Sequence, residues 1–295
     1  MPHPGWQSFR FDGIGTSWEI STPAPLPPGL RSLVLAEVER YDFTWSRFRE
    51  DSLVTRIAAA PGQFELPPEA AGLAALYRQL YTLSGGGMTP LIGESLERLG
   101  YDPRYSLQPR GEAAPPPAWD AVMEWHGTSL RTTAPVVLDI GAAGKGQLVD
   151  LLAEQLRGHG VPDFFIDASG DLLNGSNENG SQEPVQVALE HPYDAAKAIG
   201  TVPLGSGALC ASASNRRAWG DGLHHVLDGT TGAPVRTVVA TWARADTAME
   251  ADALATALFL VPAEDLERHF RFSWLKVFSN GSAEYSAEFE GRLFT

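Results

Sequence analysis

The stretch Val136–Gly160, VVLDIGAAGKGQLVDLLAEQLRGHG, constrains the fold more than any other part of the chain. Val136, Val137, Leu138 and Ile140 form a short apolar run bounded by glycine, which predicts a buried strand. Gly141, Gly144 and Gly146 then break the chain. From Gln147 the period changes: Leu148, Leu151, Leu152 and Leu156 share a helical face, and Gly158 and Gly160 end it. Strand, glycine turn and helix N-terminus make an anion site, because free backbone N–H groups and the helix dipole both favour negative charge. Lys145 lies in the turn and Asp139 at the strand's end. An acid beside a phosphate site points to a metal, or to a ligand hydroxyl or amide. The plain alternative is a tight strand–helix connection with a solvated lysine. The turn lacks the spacing of a Walker A loop, which disfavours a P-loop nucleotidase.

A second stretch carries a related demand. Asp246 to Val261 reads as a strongly apolar helix opened by a capping box, Thr247 with Glu250. Asp252 and Thr256 lie one turn apart on one face, amid alanine and leucine on almost every side. A buried carboxylate without a partner is costly, and a hard cation held by Asp252 and Thr256 would remove that cost. The alternative is that Asp252 caps nearby backbone N–H groups.

Elsewhere, Ser17–Ile20, Phe164–Ile166, Val185–Leu189, Ala208–Ser212 and His224–Asp228 read as strands. Leu30–Tyr41 and Glu69–Leu83 read as helices, and Ser84–Pro90 as a glycine-rich turn. Gly111–Pro117 is a proline-rich surface connection, and Asn174–Ser181 a polar loop. Acidic residues outnumber basic ones by 36 to 22, for a net charge of −14, which argues against nucleic acid or an anionic membrane as the main partner. An anionic ligand must then be drawn in by local features. The lone cysteine, Cys210, excludes an internal disulfide. No leader-like segment, anchoring cysteine near the start or membrane-length apolar run is present, so a cytoplasmic location is expected.

In order along the chain stand Gly13-Ile14-Gly15-Thr16, Trp45-Ser46-Arg47-Phe48 with Ser52-Leu53, and Asp139-Ile140-Gly141-Ala142-Ala143-Gly144-Lys145-Gly146. Ala168-Ser169-Gly170-Asp171, His225-Val226-Leu227-Asp228 with Gly232, and Ala251-Asp252-Ala253-Leu254-Ala255-Thr256-Ala257 follow. Together these resemble the ApbE flavin transferases over nearly the whole chain. The resemblance implies a single domain over 1–295 of α+β class. Its two interdigitated lobes of mixed or antiparallel sheet and helices would hold the ligand site between them. It further implies binding of FAD with Mg²⁺ on its diphosphate, and transfer of FMN to a threonine of an acceptor protein with release of AMP. Carried over, the Mg²⁺ ligands are Asp252, Thr256 and the backbone carbonyl of Ala142. Asp139 and Lys145 contact FAD, Ile14, Gly87, Met88 and Thr89 line its pocket, and Val226 joins them. The chain departs from the family at Ile14 (often Met), Ala58 (often Asn), Met88-Thr89 (often Phe-Asp), Ser169-Gly170 (often two glycines) and Gly229 (often Pro).

His225 is the candidate base, since a neutral imidazole accepts a proton near pH 7; a hydrogen-bonded structural histidine is the alternative. In a strand His224 and His225 point to opposite faces, so only one can serve. Trp45 is placed to stack on the flavin, whereas Asp228 and Asp246 read as turn or cap residues. An FAD diphosphatase giving FMN and AMP, and a non-catalytic FAD-binding protein, are the rival readings.

Overall fold

The structure is a computed structural model that describes residues 5–175 and 184–294. Its helices are α1 (Pro28–Trp45), α2 (Leu53–Ala59), α3 (Ala70–Leu83), α4 (Gly93–Arg98), α5 (Trp119–Val122), α6 (Gly144–Gly158), α7 (Ala248–Ala257) and α8 (Ala263–Glu267). The main sheet runs in the order Gln7–Gly13, Thr16–Thr22, Phe164–Asp167, Asp171–Gly175, Gly207–Ala213, Val238–Ala245, Ser273–Phe278, Ala283–Tyr285. Every adjacent pair is antiparallel. Antiparallel sheet with segregated helices is the α+β class that was expected.

The central strands are apolar on both faces because both are covered. Phe164, Ile166, Ala208 and Cys210 face a core shared with α1, α3, α6 and α7. Phe165, Leu172, Leu209 and Trp242 face the other way, onto a small sheet of Val185–His191, Asp194–Leu204 and Arg292–Leu293. Period-2 alternation thus sends successive residues into different cores.

The helical expectations hold in outline. In α3, Leu73, Leu76, Tyr77 and Leu80 are buried on one side. In α7, Thr247 Oγ1 accepts the Glu250 N–H at 3.3 Å, and Asp150 accepts those of Ala248 and Met249 at 2.8 and 2.9 Å. Three N-terminal donors of that helix are therefore satisfied by side chains. The part of the expected polar loop beyond Gly175 lies outside the described residues.

Two expectations are corrected. Val136–Ile140 joins no sheet: Val136, Leu138 and Ile140 are buried in alternation, but the segment is extended without a ladder. Asp139 N donates instead to Pro90 O at 2.8 Å. An apolar run of this length needs burial on alternate sides, which core packing supplies as well as pairing does. The following helix also starts earlier, at Gly144, so Lys145 belongs to the first turn of α6.

The close crossing of α6 and α7 explains the glycine at 146. A Cβ there would overlap the carbonyl oxygen of Ala248 and sit 2.8 Å from Asp252 Cβ. We expect Gly146→Ala to push the helices apart at a cost of about 1–3 kcal/mol. Urea unfolding checks this, and an unchanged midpoint would show that the crossing yields freely.

The first hairpin turns on Ile14 and Gly15, with φ of 45° and 76°. Two positive φ angles in a two-residue loop are the type I′ geometry, which asparagine and glycine favour. A β-branched residue there stores roughly 1–2 kcal/mol of strain.

Candidate functional site

Two cavities meet at one end of the main sheet. The first, about 330 Å³, lies between the 84–102 segment, the 211–228 segment and the facing turns of α6 and α7; it is lined by Gly87, Met88, Thr89, Lys145, His225, Val226, Asp252 and Thr256 among others. The second, about 340 Å³, is aromatic and is lined by Ile14, Trp45, Phe48, Tyr101 and Tyr105. Gly15, Tyr101, Asp139, Gly141, Lys145 and Arg217 line both.

Every residue expected at the site lines one cavity or the other. Their partners, however, differ from the simplest sequence reading. The first turn of α6 is not an open anion site. Gly144 N donates to Ile140 O at 2.7 Å, and Gly146 N to Asp252 Oδ2 at 3.0 Å. The group that meets this helix N-terminus is the chain's own Asp252 carboxyl.

Lys145 is not solvated either. Its Nζ lies 2.6 Å from Asp171 Oδ2 and donates to Ala168 O at 3.0 Å. Burial alone would lower its pKa, but the Asp171 and Asp252 carboxylates hold it above the usual lysine value. The 168–171 turn that presents these partners has Ser169 at φ 53°, with Ser169 Oγ donating to Ser17 O at 2.8 Å.

Asp139 accepts from Arg47 Nε and from Gly141 N, each at 2.7 Å. Burial would raise its pKa, yet Arg47 and the Gly141 N–H keep it below the ordinary carboxylate range. Arg47 and Asp171 are thus site residues that the sequence reading gave no role. Both stand in motifs that carry the family resemblance, but their partners are distant in sequence, so the motifs alone give them no role.

Asp252 is buried, and its pKa is raised by burial and then by the charge of Asp171. Gly146 N–H is its sole hydrogen-bond donor among the described residues. A cation would relieve this excess of negative charge. Asp252, the Thr256 hydroxyl and the Ala142 carbonyl are hard oxygen donors on the wall of the first cavity, and so fit Mg²⁺. Among the described residues no three His, Cys, Asp or Glu side chains gather as a metal cluster. A set with one carboxylate suits an ion that also takes ligand phosphate oxygens.

The expected strand over His224–Asp228 is broken into Leu223–His224 and Leu227–Asp228 with a bend at His225, and that bend, not strand alternation, separates the two histidines. His224 Nε2 is 2.8 Å from Val235 O and serves the local fold. His225 lines the cavity, and its Nδ1 is buried without a hydrogen-bond partner. Burial, then the Arg217 charge, push its pKa down to about 3, so the ring is neutral at pH 7 and weakly basic.

Trp45 is mostly core: it is 5 % exposed, and its ring packs on Tyr41 and Trp125 with centroids 6.4 and 6.1 Å away. It also lines the second cavity. Asp228 is the turn residue expected, its carboxylate accepting from Thr230 N at 2.8 Å. Gly229 N donates to Gly87 O at 2.8 Å, pinning that turn to the glycine-rich segment. No helix among the described residues is long and apolar enough to cross a membrane.

Comparison with known proteins gives a consistent picture. The ApbE family model matches residues 14–274. An FAD:protein FMN transferase of Rhodobacter capsulatus is 30% identical over 279 residues, covering 88% of this chain. This chain spans 52% of that relative's length. An ApbE protein from Thermotoga maritima superposes with a TM-score of 0.80 at 24% identity, over 97% of this chain and 99% of the other. The flavin transferase ApbE from Vibrio cholerae gives 0.79 at 18% identity, over 96% and 98%. At these identities the two structures carry the fold alone.

Proposed function

The chain belongs to the ApbE family, and from that footing we propose that it binds FAD across the two joined cavities and transfers FMN to a threonine of an acceptor protein. The observation that carries this reading is the junction itself. Two cavities share a polar seam at Asp139, Gly141, Lys145 and Arg217, beside the buried oxygen donors Asp252 and Thr256. A dinucleotide has that shape: two ring systems joined by a diphosphate.

In the step proposed, the threonine Oγ attacks the FMN-side phosphorus. The new Oγ–P bond forms as the bond from that phosphorus to the bridging oxygen breaks. AMP leaves with the bonding electron pair, and the threonine proton passes to a base. Mg²⁺ held by Asp252, Thr256 and the Ala142 carbonyl would supply charge neutralisation at the diphosphate. Lys145, carried on α6 and held by Asp171, lines the seam with a charge it shares between that carboxylate and the ligand. Met88, Thr89 and Val226 are buried walls that exclude water beside it.

His225 is the base on this reading, and pH dependence tests it. Its pKa of about 3 in the free protein rises when an anionic phosphate enters and offsets the Arg217 charge. Profiles of kcat/KM report groups of the free enzyme, and those of kcat report the bound complex. We expect His225 to give kcat/KM no acid limb between about pH 5 and 8, and kcat to fall on the acid side. His225→Asn should abolish that kcat limb. A limb unchanged in the variant would remove His225 as base.

The function itself is tested by incubating the protein with FAD, Mg²⁺ and a threonine-bearing acceptor, then analysing the products by chromatography and mass spectrometry. Acceptor carrying one FMN, lost when its threonine becomes valine, is the result expected. Free FMN and AMP with unmodified acceptor would make the protein a diphosphatase, and intact FAD a binding protein.

A further inference from the structure

We infer that Arg217 is a residue that grips the ligand's diphosphate at the seam between the cavities. This rests on the dinucleotide reading above. The other positive charges around the seam are already engaged by carboxylates of the chain. Arg47 is bound to Asp139 at 2.7 Å, and Arg49 to Asp51 at 2.9 Å. Lys145 is bound to Asp171 at 2.6 Å, and Arg216 to Glu190 at 3.0 Å. Arg217 lines both cavities and, among the described residues, has no carboxylate within ion-pairing distance. Its guanidinium rests over the Tyr101 ring, 5.9 Å from the centroid.

In a chain with 36 acidic against 22 basic residues, an arginine left unpaired at a cavity junction is a vacancy for an anion. Guanidinium suits this role because its fork of donors meets two phosphate oxygens at once. The neighbourhood agrees: the Arg217 charge acts on Asp139, His225 and Asp252, which surround the seam. Arg217 is exposed, on the segment between the Gly207–Ala213 and Ala218–Trp219 strands. It can therefore be replaced without disturbing a core.

The test is a set of binding titrations without metal, using FAD, riboflavin and ADP against wild type, Arg217→Gln and Arg217→Lys. Arg217→Gln should weaken FAD and ADP by about 10-fold or more, since a charged hydrogen-bonding pair is lost. Riboflavin, which carries no phosphate, should change less than about 2-fold by the same reasoning. Arg217→Lys should fall between, keeping charge but not the fork. The FAD affinity of wild type should also drop more steeply with added salt than that of Arg217→Gln. Equal FAD affinity in wild type and Arg217→Gln overturns the inference, as does an equal loss for riboflavin. Wild type that binds ADP through Arg217 but not FAD would sink the dinucleotide reading while keeping Arg217 as a diphosphate grip.

Discussion

Asp252→Asn is expected to cut metal-dependent turnover on the order of 10³-fold, while making the metal-free protein more stable. The first effect follows from removing the one carboxylate of the proposed ligand set. On the proposed reading, several kcal/mol of charge stabilisation at the diphosphate would depend on the ion being held there. The second follows from the sign of the Asp252 shift, which is upward because of burial and the neighbouring Asp171 charge. A carboxyl whose folded pKa exceeds its unfolded value stabilises fully below the unfolded pKa. That stabilisation is lost as pH rises through the folded pKa of about 8, so near pH 7 folding is already penalised at a carboxyl that must hold a proton it would shed when unfolded. Asparagine keeps an oxygen for the Gly146 N–H and discards the charge. The thermal midpoint without metal should rise by roughly 2–6 °C, and added Mg²⁺ should no longer raise it. Full turnover in the variant would move the metal elsewhere, and a lower midpoint would mean the charge is compensated in the free protein. Thr256→Ala should do less harm, because a hydroxyl is a weaker ligand than a carboxylate.

Lys145→Ala is expected to destabilise the fold by about 3–5 kcal/mol, the usual cost of stranding a buried charge. Asp171 is fully buried, and its Oδ1 already lacks a hydrogen-bond partner. Removing the cation 2.6 Å from Oδ2 leaves it with no counterion and Asp252 close by. The double variant Lys145→Ala/Asp171→Asn should recover most of the loss, because the stranded charge disappears with its partner. Urea unfolding of the wild type, both single variants and the double variant checks this. Additive losses would show that the pair is not coupled. In the double variant FAD should still bind more weakly than in wild type, with riboflavin little affected.

Local patterns made much of this architecture legible. The α3 face of Leu73, Leu76 and Leu80 repeats at helical spacing, and Thr247 marks the start of α7 through its own hydroxyl. A carboxylate on a helix that is otherwise apolar announced that something must meet Asp252. What it meets in the free protein was not legible, because Gly146 N–H arrives from a helix 106 positions earlier. Arg47 with Asp139 and Lys145 with Asp171 are hidden for the same reason: each pair is set by how distant segments dock. Val136–Ile140 misled because hydrophobic content reports burial and not whether backbone groups find a ladder. The turn before α6 reads in the sequence as an open anion site, whereas its Gly146 N–H is taken by the chain's own Asp252.

The first hairpin has one further consequence, for how the protein is made. Gln7–Thr22 can pair as soon as it is synthesised, but its next neighbour in the sheet is Phe164–Asp167, and Ser17 is met by Ser169 from 152 positions on. At a ribosome rate of about 5–20 residues per second, that gap lasts roughly 8–30 s. For that interval Trp18 and Ile20 lack the neighbouring strand that completes their core, and one edge of the hairpin stays open. Until Phe164–Asp167 emerges, the nascent chain therefore presents an unpaired strand edge of the kind on which chains associate.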